Sequence, residues 1–63
     1  MTKEEAIQLI YNGQSIKCSA DEYKNEIRFA LQEFAGKMID RKQDIRAIIV
    51  LEEVRRLDEK FNY

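Results

Sequence analysis

Histidine, proline and tryptophan are absent from these 63 residues, cysteine occurs once and glycine only twice. Each absence closes off a class of chemistry. Without histidine, no side chain titrates near neutral pH to serve as a base or to activate a nucleophile. The lone cysteine, Cys18, allows no disulfide within the chain and, with no histidine beside it, no structural zinc set. No Gly-rich phosphate loop, calcium loop or Glu-x-x-His motif occurs. Adjacent acids stand at Glu4-Glu5 and Glu52-Glu53, yet such pairs on charged helices are solvated, and two-acid hydrolysis needs a cleft. The expectation is a protein that is not an enzyme, with no catalytic, cofactor or metal site. Cys18 reads as a small apolar residue at a packed helix entry.

Charge of one sign is also missing. Eleven Lys and Arg balance twelve Asp and Glu for a net of −1. This gives no electrostatic reason to expect a binder of nucleic acid or a mimic of it. The longest uninterrupted apolar run, Ala47 to Leu51, falls far short of the roughly 20 residues of a membrane span. Met1-Thr2-Lys3-Glu4-Glu5 lacks the basic start and long apolar stretch of a secretory signal. With a lone thiol, these features predict a cytoplasmic protein with no membrane partner. At 44% hydrophobic residues the chain has the means to fold. Its length predicts one small domain over residues 1–63.

What the chain does contain is a repeated helix-start signal. Thr2 with Glu5, Ser19 with Glu22, and Asp40 with Gln43 each stand at capping-box spacing. Three helices follow, and the fold class is all-α. The first runs from about Lys3 to Asn12, with Ala6, Ile7, Ile10 and Tyr11 toward one side and a stop at Asn12-Gly13. In the following Gln14–Cys18 connection, Ile16 and Cys18 alternate with polar neighbours, as in a loop or a short strand. The second helix runs from about Ala20 to Lys37 or Met38. Tyr23, Ile27, Ala30, Leu31, Phe34 and Met38 make its apolar stripe. Gly36, off that stripe, either ends the helix or weakens it. Phe29 points the other way, beside Asn25 and Gln32, and these three are the candidate site for a partner protein.

The third helix is predicted over about Arg41 to Lys60. Ala47, Val50, Val54, Leu57 and Phe61 recur at spacings of 3 and 4, the seam of coiled-coil-like packing. Ile45, Ile48, Ile49 and Leu51 widen the apolar arc around its N-terminal half. A helix apolar nearly all round needs cover on more than one side, and so short a chain has little to supply it. Its N-terminal half is therefore expected to be deeply buried, and its C-terminal half to be an amphipathic arm with Glu52–Arg56 and Arg55–Asp58 pairs. A homodimeric bundle follows, with Ile45, Ile48, Ile49, Leu51 and Val54 carrying self-association. A buried strand over Ile45 to Leu51 is the rival reading, opposed by the lack of any turn before Glu52-Glu53.

The opening Thr2-Lys3-Glu4-Glu5-Ala6-Ile7 with Asn12-Gly13-Gln14-Ser15-Ile16 resembles the starts of many short phage and mobile-element proteins. It identifies no family and implies only an accessory role. The function expected is a non-catalytic interaction module, a small homodimeric regulator or inhibitor of another protein. The alternative is a DNA-binding regulator using Arg41, Lys42, Arg46, Arg55 and Arg56. A further alternative is a structural subunit of a larger assembly.

Overall fold

Three helices and no strand make up the computed structural model, which describes residues 1–63. Helix α1 spans Lys3–Tyr11 and α3 spans Asp44–Lys60. Between them, α2 is one continuous rod formed by Ala20–Glu22, a π-helical turn at Tyr23–Ile27, and Arg28–Asp40. Within the π turn the Arg28 N–H bonds the Tyr23 carbonyl, five residues back. No sequence signal announced that turn.

Two of the three capping boxes form as expected. The Thr2 hydroxyl accepts from the Glu5 N–H at 3.2 Å, and the Glu5 carboxylate takes the Thr2 N–H. Ser19 and Glu22 repeat the exchange at 3.2 and 3.0 Å. Glu22 also pairs with the Met1 amino group. That ammonium, followed by the Ser19 N–H and hydroxyl, holds the Glu22 pKa down to about 2.

The Asp40–Gln43 box does not form. Helix α2 runs on through Asp40, so Asp40 serves as its last residue and α3 starts at Asp44, not Arg41. Gln43 precedes α3 with no side-chain cap. What joins the two helices is a C-terminal motif that also ends α1 and α3. Gly13, Lys42 and Asn62 all have positive φ, at 75°, 59° and 54°. In each case the next N–H reaches back five residues, Gln14 to Leu9, Gln43 to Met38 and Tyr63 to Asp58, at 2.8 to 2.9 Å. Gly36 ends nothing; it lies inside α2, and a Cβ there would meet no atom within 4 Å.

The core lies between α2 and α3. Tyr23, Ile27, Leu31, Ala35 and Met38 pack with Ala47, Val50, Val54 and Leu57, and Ala6, Ile10 and Ile16 close one side. The stripe read from α2 and the 3-4 series read from α3 thus face each other, with Phe34 and Phe61 partly buried at the margins. Both halves of α3 contribute, and its C-terminal half is amphipathic as expected, with Val54 and Leu57 buried and Arg55, Arg56 and Glu59 exposed. Tyr11, expected on the inner side of α1, is exposed instead, because only Ala6 and Ile10 of α1 are buried.

The Gln14–Cys18 connection is a loop whose middle residue is held like a strand. Ile16 is buried, its N–H donates to Glu53 Oε2 at 2.8 Å, and its carbonyl accepts from Arg56 Nη2 at 3.1 Å. Two side chains of α3 therefore do what a neighbouring strand would do. They also pair with each other, Arg56 Nε to Glu53 Oε1 at 2.6 Å. The expected Glu52–Arg56 and Arg55–Asp58 pairs give way to Arg56–Glu53, Arg55–Glu59 and Arg28–Asp58.

Glycine stands where a helix former is wanted, and a helix-forming lysine stands where glycine is wanted. Gly36→Ala should raise stability by about 1 kcal/mol through helix propensity. Lys42→Gly should raise it by up to about 1 kcal/mol by relieving the left-handed backbone. Urea unfolding of both variants checks this; a loss of stability in either would contradict the geometry given for that position.

Candidate functional site

Once the core closes within the chain, four large aliphatic side chains of α3 remain outside it. Ile45 is 77% exposed, Ile48 55%, Ile49 50% and Leu51 43%. At about 100° per residue, Ile45, Ile48 and Ile49 lie on the side of α3 opposite Ala47, Val50, Val54 and Leu57. Their expected deep burial therefore does not occur within one chain: α2 covers one side of α3, and the chain has no fourth helix to cover the other. Val54, grouped with them in the sequence, belongs to the inner face at 5% exposure. The helix is apolar nearly all round, as read, but the two sides have different neighbours.

Ile49 extends this face toward α1. It lines a shallow groove with Tyr11, Phe34 and Arg46, and the Arg46 guanidinium lies 4.5 Å from the centre of the Tyr11 ring. On its other flank Ile49 borders a second groove with Gly13, Glu52 and Arg56. Exposed apolar surface thus continues from Ile45 to Tyr11. Tyr11 was missed as part of it because the periodicity of α1 alone placed it on the inner side.

The residues proposed for a partner on α2 are outward as expected. Phe29 is 69% exposed, with Asn25 and Gln32 exposed beside it. They lie on a different helix from the isoleucines and point away from the core.

The five cations of the nucleic-acid alternative do not come together. Arg41 and Lys42 lie in the turn between α2 and α3. Arg46 stacks on Tyr11, Arg55 pairs with Glu59, and Arg56 is committed to Glu53 and the Ile16 carbonyl. Arg46 and Arg55 are nine residues apart, on opposite sides of α3. No single basic face results.

One polar cluster joins the helices at the other end of the core. The Tyr23 hydroxyl, buried, donates toward the Val54 carbonyl at 3.0 Å and the Asp58 carboxylate. Arg28 grips the same carboxylate with two N–H groups, at 2.9 and 3.3 Å. Tyr63 covers Arg28, its ring centre 4.2 Å from the guanidinium, while Phe61 lies against Tyr23 at 5.5 Å. The bonds to Arg28 and then Tyr23 hold the Asp58 carboxyl below the usual aspartate range, against its partial burial. Burial, reinforced by Asp58, pushes the Tyr23 phenol far up. These partners stand 30 and 35 residues apart, so no local pattern foretold them.

The remaining perturbed groups are also tied into structure. Burial pushes the Glu53 carboxyl up, but Arg56 and the Ile16 N–H outweigh it and leave it below the usual value. Cys18 is half-buried against the core, and burial, then the Glu22 charge, raises its thiol. The thiolate that a nucleophile requires is thereby disfavoured. No helix is long and apolar enough to cross a membrane. Comparison with protein-family models, with curated proteins and with solved structures finds no match for the chain.

The Asp58 cluster makes stability depend on acid. Because the folded carboxyl titrates below its unfolded value of about 3.9, the unfolded chain takes up a proton first as pH falls. The contribution is complete above that value and is lost as pH falls through the lower folded one. Asp58→Asn should therefore lie below the parent protein at pH 6 and converge on it toward pH 2, in urea titrations at each pH. A gap of constant size would show that Asp58 carries no depressed pKa.

Proposed function

We propose that this chain is a non-catalytic interaction module that self-associates through the outer face of α3 and acts as a small regulator or inhibitor of another protein. One observation carries the reading. Ile45, Ile48, Ile49 and Leu51 stay in water although the chain's own core is complete without them. Scattered apolar residues on a surface are ordinary, but a contiguous helical face of branched side chains is the usual mark of an interaction site. Full burial of each such side chain is worth about 1.5–3 kcal/mol, and these four have roughly half of that still to gain.

A second copy fits this face because the face is its own complement. Two α3 helices crossing at Ile48 and Ile49 bury the same apolar patch on both chains about a two-fold axis. A net charge of only −1 leaves little long-range repulsion between copies. A standard interface takes about 800 Å² from each partner, against a total surface of 4467 Å². The contact must then extend past the isoleucines to Tyr11 and the Glu52–Arg56 stretch. Self-association orders the pair; regulation of a further protein falls to the surfaces left free.

Sedimentation equilibrium on Ile48→Asp and Ile49→Asp tests the reading. Both side chains are half in water within one chain, so a charge there should leave the helical circular dichroism unchanged. It should weaken the dimer at least tenfold by placing an unpaired carboxylate in its centre. Folded variants with the parent's association constant would overturn the α3 contact.

A further inference from the structure

We infer that the outward side of α2 docks one amphipathic helix of another protein, whose apolar stripe is edged with lysine or arginine. This rests on the chain being an interaction module, and not on the α3 contact. Asn25, Phe29, Gln32, Gly36 and Ile39 recur at spacings of 4, 3, 4 and 3, a second seam with the repeat of a coiled coil. All five are exposed. None is charged, in a chain where 37% of residues are. The seam runs about 21 Å at 1.5 Å per residue, two heptads of a partner helix.

Two features of the seam have no use within the chain. Gly36 sits in mid-helix, where glycine weakens the helix, yet no side chain or backbone comes near it. Packing inside this chain does not require the missing Cβ, whereas a second helix crossing there would use the gap for close approach. The other feature is charge. Glu26, Glu33 and Asp40 stand at seven-residue intervals along one edge of the seam, all exposed. None of them joins the chain's ion pairs, which use Glu22, Glu53, Asp58 and Glu59. Lys37 and, from α1, Lys3 share a shallow groove with Glu33 on the side of the row away from the seam, without an ion pair between them.

Charge also decides the occupant. An antiparallel second copy would set the acidic row against itself, which is unfavourable. A parallel copy would set it against the opposite edge, where Arg28 is already bound to Asp58 and Ala35 is buried under α3. A helix with basic edges answers the row directly, as the flanking positions of coiled coils do. It would lay leucine-sized side chains beside Phe29 and Ile39.

The test uses the whole chain and two synthetic helices of three heptads, identical in their leucine stripe and edged with either lysine or glutamate. Fluorescence anisotropy should show the lysine-edged helix binding at least tenfold tighter, with the difference shrinking in high salt. Phe29→Ser and Gly36→Leu should each weaken that binding at least tenfold while helicity and oligomeric mass stay the same. Ile48→Asp should leave it unchanged. Equal affinity for the two helices, no binding, or insensitivity to Phe29→Ser and Gly36→Leu would overturn the proposal. Loss of binding in Ile48→Asp would place the peptide on α3 and overturn it too. A change in the chain's own mass on Phe29→Ser would mean that a second copy fills the seam, with the same consequence.

Discussion

The packing of α2 against α3 is the constraint on which the rest of this small molecule depends. A chain this short buries a modest fraction of its surface, and here most of the large buried side chains belong to that one helix pair. Helix α1 and the residue Ile16 complete the core but do not define it. Other features serve to hold the pair in register. The shared C-terminal motif at Lys42 turns the chain from α2 into α3 within three residues. At the far end, Tyr23, Arg28 and Asp58 lock the open end of the hairpin with bonds that a sliding helix would break. Glu53 and Arg56 then use the outer flank of α3 to tether Ile16.

Local signals were legible because they act locally. Thr2–Glu5 and Ser19–Glu22 cap their helices within one turn, and both close although Glu22 also holds the distant Met1 amino group. The Asp40–Gln43 spacing was equally good, yet the backbone used Asp40 to finish one helix instead of starting the next. Lys42 explains this: its left-handed conformation ends α2 as Gly13 ends α1, and a lysine gives no sign of that role. Asn62 is a residue type that accepts such a backbone more readily. The π turn at Tyr23–Ile27 had no compositional mark.

The apolar faces were visible in the sequence, but their neighbours were not. Periodicity says that α3 is apolar on several sides; it does not say which side a 63-residue chain has material to cover. Tertiary packing chose Ala47, Val50, Val54 and Leu57, and left Ile45, Ile48 and Ile49 in water. Val54 was misplaced among the latter for the same reason. The basic residues were similarly legible as a list and not as a surface, because three of the five go to Glu53 and a loop carbonyl, Glu59 and Tyr11. The outcome is a folded unit with unspent apolar surface on two helices, and electrostatics that serve mainly its own architecture.

The deciding question is whether that folded unit stands alone before it pairs. Light scattering after size exclusion across a dilution series, with circular dichroism on the same samples, addresses this directly. Mass should fall from dimer toward the 7.5 kDa of one chain while the helical signal per residue stays constant. A mass of one chain at every concentration would contradict the α3 contact. Loss of helix in step with dissociation would contradict the self-sufficient core.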